Sequence, residues 1–163
     1  MNIKTLAQFG ISVATLLLGM SAYGATATDT FQVTATIPAA CVITANDLAF
    51  GTYNPTTTST QNSTVDVTCT NTTPWAISLS TGGSGSYSPR QMTGGVSADT
   101  LNYNLYTDAT FTTIWGDGTG GTTTVTGTGT GAAQSNTVYG QLPSGQYKTP
   151  DSYTDTITAT VTY

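Results

Sequence analysis

The sequence predicts an all-β protein, a single antiparallel β-sandwich, on three observations. Short runs that alternate apolar and polar residues recur along the chain, separated by Gly, Pro, Asn, Asp and Ser turn signals about every ten residues. Beyond residue 27 no stretch shows the apolar spacing of an amphipathic helix. Only 7% of the residues are charged, so Thr, Ser, Asn, Gln and Gly must solvate the surface, and Thr is itself a strand former.

The elements follow in order. Lys4 and the amino terminus make a positive start, residues 9–18 a short apolar core, and residues 19–27 a stretch of small residues. This is the pattern of a secretory signal, too short to span a bilayer. The expected signal covers residues 1–24, with the mature chain beginning between Ala25 and Thr28. About 138 residues then remain, enough for one domain with a real core. Residues 31–37 alternate without a break, placing Phe31, Val33, Ala35 and Ile37 on one face of an extended strand. Further strands are expected at residues 41–43, 48–53, 64–70 (Val65, Val67 and Cys69 inward) and 75–80 (Trp75, Ile77 and Leu79 inward). A turn at residues 82–85 follows. Strands at 101–106, 111–115 and 138–142 come next, and residues 152–163 close the chain with Ile157, Ala159, Val161 and Tyr163 aligned. The Gly/Thr tract 116–131 reads as a surface element, either a loose hairpin or a loop.

Export explains the two cysteines. Cys41 and Cys69 are an even pair in an oxidising compartment, and the chain has no His, so a disulfide is expected and a metal site is not. With Lys4 removed, Arg90 and Lys148 are the basic residues that remain, which excludes the positive footprint that nucleic acid or anionic lipid needs. No later stretch is apolar enough to insert in a membrane.

Catalysis has little to stand on. There is no His to act as general base, the acidic residues are all Asp, and no nucleophile motif, phosphate loop or metal-ligand spacing is present. Asp99 with Asp108, or Asp151 with Asp155, are the pairs that a glycosidase would need, and Asp117-Gly118 the one dipeptide of calcium-loop type. All of them read first as turn residues. A carbohydrate-binding module would use stacking faces from Tyr87, Tyr103, Tyr106, Trp115 and Tyr139, residues that on strands more often serve the core. No cofactor is expected.

The ordered set Cys41, Leu48-Ala49-Phe50-Gly51-Thr52-Tyr53, Val65-Asp66-Val67-Thr68-Cys69, Arg90-Gln91-Met92, Leu101-Asn102-Tyr103-Asn104-Leu105-Tyr106, Trp115-Gly116-Asp117-Gly118, Val138-Tyr139-Gly140 and Tyr153-Thr154-Asp155 resembles the spore coat protein U domain family, which includes pilin subunits of archaic chaperone-usher systems. The resemblance spans the mature chain. It implies an incomplete immunoglobulin-like sandwich, residues 38–163, that lacks its final strand and is completed by donor-strand exchange. Residues 25–37 would be the donor, with Phe31, Val33, Ala35 and Ile37 entering groove pockets. Ile157, Ala159, Val161 and Tyr163 would face a periplasmic chaperone. The implied partners are other pilin subunits, that chaperone and an outer-membrane usher. The implied place is an extracellular fimbrium supporting adhesion and biofilm formation. The residues themselves leave an alternative open, in which residues 28–37 are the first strand of a self-contained secreted coat or carbohydrate-binding protein.

Overall fold

The computed structural model describes residues 24–163. The expected signal lies outside that range except for Gly24. Residues up to Ala35 form one unit and Thr36–Tyr163 another. Residues 24–40 carry no strand, and Phe31, Val33 and Ile37 are all more than four-fifths exposed.

The body is an all-β, immunoglobulin-like sandwich. Its strands are β1 (Cys41–Ala45), β2 (Ser59–Cys69), β3 (Pro74–Leu79), β4 (Arg90–Gly94), β5 (Thr100–Tyr106), β6 (Val125–Thr128), β7 (Gln134–Leu142), β8 (Tyr153–Thr154) and β9 (Ala159–Thr162). One sheet has the order β1-β2-β7-β5-β4-β8 and the other β6-β3-β9, with every strand pair antiparallel. The period-two patterns explain the core. Val65, Val67 and Cys69 of β2, Leu101, Tyr103 and Leu105 of β5, and Val138 and Leu142 of β7 point inward from the large sheet. Trp75, Ile77 and Leu79 meet them from β3, with Trp115 fully buried beside them. Trp115 Nε1 donates to the Ile77 carbonyl at 3.0 Å, which satisfies the polar end of a large apolar side chain.

Cys41 and Cys69 form the expected disulfide, directly opposite each other at one end of the β1–β2 ladder. Their sequence separation of 28 makes the bridge worth about 3–4 kcal/mol in the chain-entropy model.

Several expected elements differ, each for a physical reason. Residues 48–53 form no strand; Leu48, Phe50 and Tyr53 pack half-buried against the core, and Gly51 turns the backbone with φ +71°. Residues 111–115 curl instead of extending. The Asp108 carboxylate accepts from the Thr112 and Thr113 amides and the Thr110 hydroxyl, Phe111 takes φ +56°, and only Ile114 and Trp115 make single bridges. The closing run 152–163 is two strands, because Tyr153 pairs with Gly94 in the large sheet while residues from Ala159 pair with β3 in the small one. β4 has no clear alternating signal, since its inward face is Arg90, fully buried, with Met92 and Gly94 beyond it. Part of the tract 116–131 is β6, an edge strand whose Gly127 lies opposite Trp75.

Candidate functional site

Two edge strands define the site. β9 ends the small sheet, so among the described residues one side of its backbone has no strand partner, and β1 ends the large sheet and lies close to β9. Beyond the end of β1 the layers part. A cleft of about 1240 Å³ opens there, floored by Val65, Leu101, Leu105, Val138 and Leu142 of the large sheet, with Leu79, Ile157 and Ala159 on its other wall. Residues 46–53 and 146–155 form its rim. The side chains of the last segment differ in burial from those of its neighbour. Ile157, Ala159 and Val161 point inward yet are only half-buried, whereas Trp75, Ile77 and Leu79 on neighbouring β3 are buried. A strand edge with unpaired N–H and C=O groups, carrying half-buried apolar side chains at Ile157, Ala159 and Val161, is an acceptor for an extended peptide. Backbone groups of such a peptide would gain a ladder, and alternate side chains would gain burial.

A polar network borders this cleft through Tyr103 and Asp155. Asp155 lies where the chain crosses from β8 to β9. Its carboxylate accepts from the Tyr103 hydroxyl at 2.6 Å and from the Gly83 amide at 2.8 Å. Burial, reinforced by that carboxylate, pushes the Tyr103 hydroxyl well above the usual tyrosine range. Arg90 ties the layers together from β4. Its Nε donates to the Ser80 carbonyl (3.0 Å), Nη1 to Asn104 Oδ1 (2.9 Å) and Nη2 to the Trp115 carbonyl (2.7 Å). The guanidinium also sits 5.1 Å from the centre of the Tyr87 ring. Burial draws the Arg90 pKa down, and the Tyr103 and Tyr87 hydroxyls and the Asp155 carboxylate act against it. Among the described residues no buried side-chain polar atom lacks a hydrogen-bond partner.

The remaining aspartates close loops. Asp151 accepts from the Val96 and Ser97 amides and the Ser97 hydroxyl, and these bonds, the Ser97 amide first, bring its pKa down to about 2. Hydrogen bonds from Thr149, Thr110 and Thr119 hold Asp99, Asp108 and Asp117 below the usual carboxylate range. Asp108 and Asp117 accept within their own loops, while Asp99 joins its loop to the one that carries Thr149. Trp115 and Tyr103 are core residues and offer no stacking face. Among the described residues no cluster of three metal-ligating side chains occurs.

Of the residues singled out from sequence, Ile157 and Ala159 line the cleft, Val161 follows on the same face, and Tyr163 is mostly exposed. Phe31, Val33 and Ala35 belong to the separate leading unit, while Ile37 is an exposed residue at the start of the body. Sequence reasoning missed Arg90, Asn104 and Asp155 as a group. The signal present was a lone arginine in a chain almost devoid of cations.

The chain is 33% identical to Protein U of Myxococcus xanthus over 178 residues, covering 99% of this chain and 98% of that one. It is similar in fold to a chain of the chaperone–tip adhesion subunit pre-assembly complex from the archaic chaperone-usher Csu pili of Acinetobacter baumannii. The TM-score there is 0.59 at 21% identity, over 78% of this chain and 41% of that one, so this chain spans less than half of that neighbour's length. The Spore Coat Protein U domain model matches residues 27–160. With its open sandwich, its cysteine bridge and a family match over nearly the whole described length, the chain belongs to the Spore Coat Protein U domain family and is a structural protein, not an enzyme.

Proposed function

We propose that this protein is a pilus subunit polymerised by donor-strand exchange through a chaperone-usher pathway. Residues 25–37 of one copy fill the cleft of another, with Phe31, Val33, Ala35 and Ile37 facing the floor and Gln32, Thr34 and Thr36 facing outward. The observation that carries this reading is the unpaired edge of β9 over an open apolar cleft, in a chain whose own leader is uncharged from Thr30 to Ile37 and fully alternating. Burying three large apolar side chains of the leader stabilises the linkage by about 5–9 kcal/mol before the backbone ladder is added. Before assembly a strand from a periplasmic chaperone occupies the cleft along Ile157, Ala159 and Val161, and the carboxyl end at Tyr163 engages that chaperone. An outer-membrane usher exports the growing fibre, which works at the cell surface in adhesion and biofilm formation.

Deletion of residues 25–37 from the mature chain tests this. The truncated subunit should be recovered folded and bound to its chaperone, yet form no fibres, and a synthetic peptide of residues 25–37 should bind its cleft. Fibres that still grow without the leader would overturn the reading.

The likeness to Protein U over almost the full length of both chains favours a second reading, a coat component of the same fold. In that case the mature chain is a stable monomer whose leader is dispensable, and sedimentation of the purified protein separates the two.

A further inference from the structure

We infer that the Cys41–Cys69 bridge is a mechanical clamp that keeps a subunit from being unzipped under fibre tension and routes that tension through the small sheet alone. The inference rests on the donor-strand reading, because it takes the leader as the handle by which one subunit is pulled.

Tension on the leader enters the body through residues 37–40 and reaches β1 at Cys41. β1 is an edge strand of five residues, held on one side only, by β2. Its pairing runs from Cys41↔Cys69 to Ala45↔Val65. Cys41, where the pull arrives, and Cys69, from which the chain leaves for β3, are therefore opposite each other at the same end of the ladder. An antiparallel pair pulled apart from one end opens bond by bond, so each hydrogen bond meets the full force in turn. This is the weak mode of a β-ladder, whereas pulling along the strands would make all the bonds share the force. The disulfide occupies the one residue pair at which opening would start.

With that pair bridged, force passes directly from Cys41 to Cys69. The neighbouring groups brace the same point: the Thr70 amide donates to the Ala40 carbonyl at 2.9 Å and the Ala40 amide to Thr70 Oγ1 at 3.2 Å. The turn that follows is tied to the end of β6 by the Thr72 amide on the Gly129 carbonyl (2.8 Å) and the Gly129 amide on the Thr73 carbonyl (2.7 Å). From there the chain enters β3, which pairs with β9 through Ala76↔Thr162 to Leu79↔Ala159, and β9 carries the free edge that receives the next leader. The route is bridge, turn, β3, β9, incoming leader. Tension along it bypasses the six-stranded sheet.

Single fibres stretched in a force spectrometer test this. Subunits carrying Cys41→Ala with Cys69→Ala should lengthen at lower force than the wild type. Their early event should release β1 and the loop that follows it, residues 41–58, up to the start of β2, which β7 still holds, about 60 Å of extra extension per subunit. Wild-type fibres assembled first and then reduced, with thiol labelling to confirm opening of the bridge, give the same comparison if the double variant fails to fold. Equal rupture forces, with no early lengthening in the bridge-free fibres, would overturn the clamp and leave the donor-strand reading intact. A mature chain that forms no fibres at all would remove the donor-strand reading and the clamp with it.

Discussion

Replacing Arg90 by methionine examines how the two layers are held together. Arg90 is fully buried and makes three hydrogen bonds of 2.7–3.0 Å across the layers. Methionine retains the apolar stem and removes all three donors. Asn104 Oδ1 keeps a second donor, the Leu105 amide at 2.9 Å, so the main loss falls on the Ser80 and Trp115 carbonyls. Leaving a buried acceptor unpaired costs about 1–3 kcal/mol each, and the guanidinium no longer has to be stripped of water, which offsets part of this. The net expectation is a loss of about 3 kcal/mol, seen as a fall of about 1–3 M in the urea midpoint. Trp115 is fully buried, so its fluorescence reports the unfolding of the oxidised mature chain. Arg90→Lys should fall between the two, since an ammonium cannot span three acceptors set in a fork. A midpoint shift for Arg90→Met worth less than about 1 kcal/mol would contradict this account, because water would then have to reach those carbonyls.

Two further predictions follow from the loops and the edge strand. Gly127→Ala should destabilise by about 1–3 kcal/mol through overpacking, because a Cβ there would run into the Trp75 ring; thermal melting of the two chains checks it, and an unchanged midpoint contradicts the packing. The Asp151 carboxylate has its pKa lowered from 3.8 to about 2 in the folded chain, so its contribution is complete above about pH 4 and is lost as pH falls toward 2. Asp151→Asn should therefore be less stable than the wild type at neutral pH and converge with it near pH 2, as read from melting curves across that range; parallel curves would contradict the assignment.

Much of the core was legible because its strands obey a two-residue period. Val65-Asp66-Val67-Thr68-Cys69 and the alternation of Trp75, Ile77 and Leu79 mark the inward faces directly, and the structure buries these residues. β4 was not legible, because its inward face starts with an arginine whose three acceptors come from Ser80, Asn104 and Trp115 and ends on a glycine. No local pattern reveals that those groups converge. The stretch 48–53 alternates as well as many strands do, yet a strand needs a neighbour, and none flanks it.

The all-β class, the inward faces of β2, β3 and β5, and the pairing of the two cysteines can be read from the chain alone, since each depends on local periodicity or on counting. Where the sandwich stays open is a property of the assembled fold. That depends on which edges remain unpaired once the whole chain has been placed, and on the crossing at Asp155 that sends the last residues into the small sheet. Strand propensity acts along the chain, while a missing partner is a relation between segments far apart in it, so the cleft beside β9 becomes visible only after every other strand has found its place.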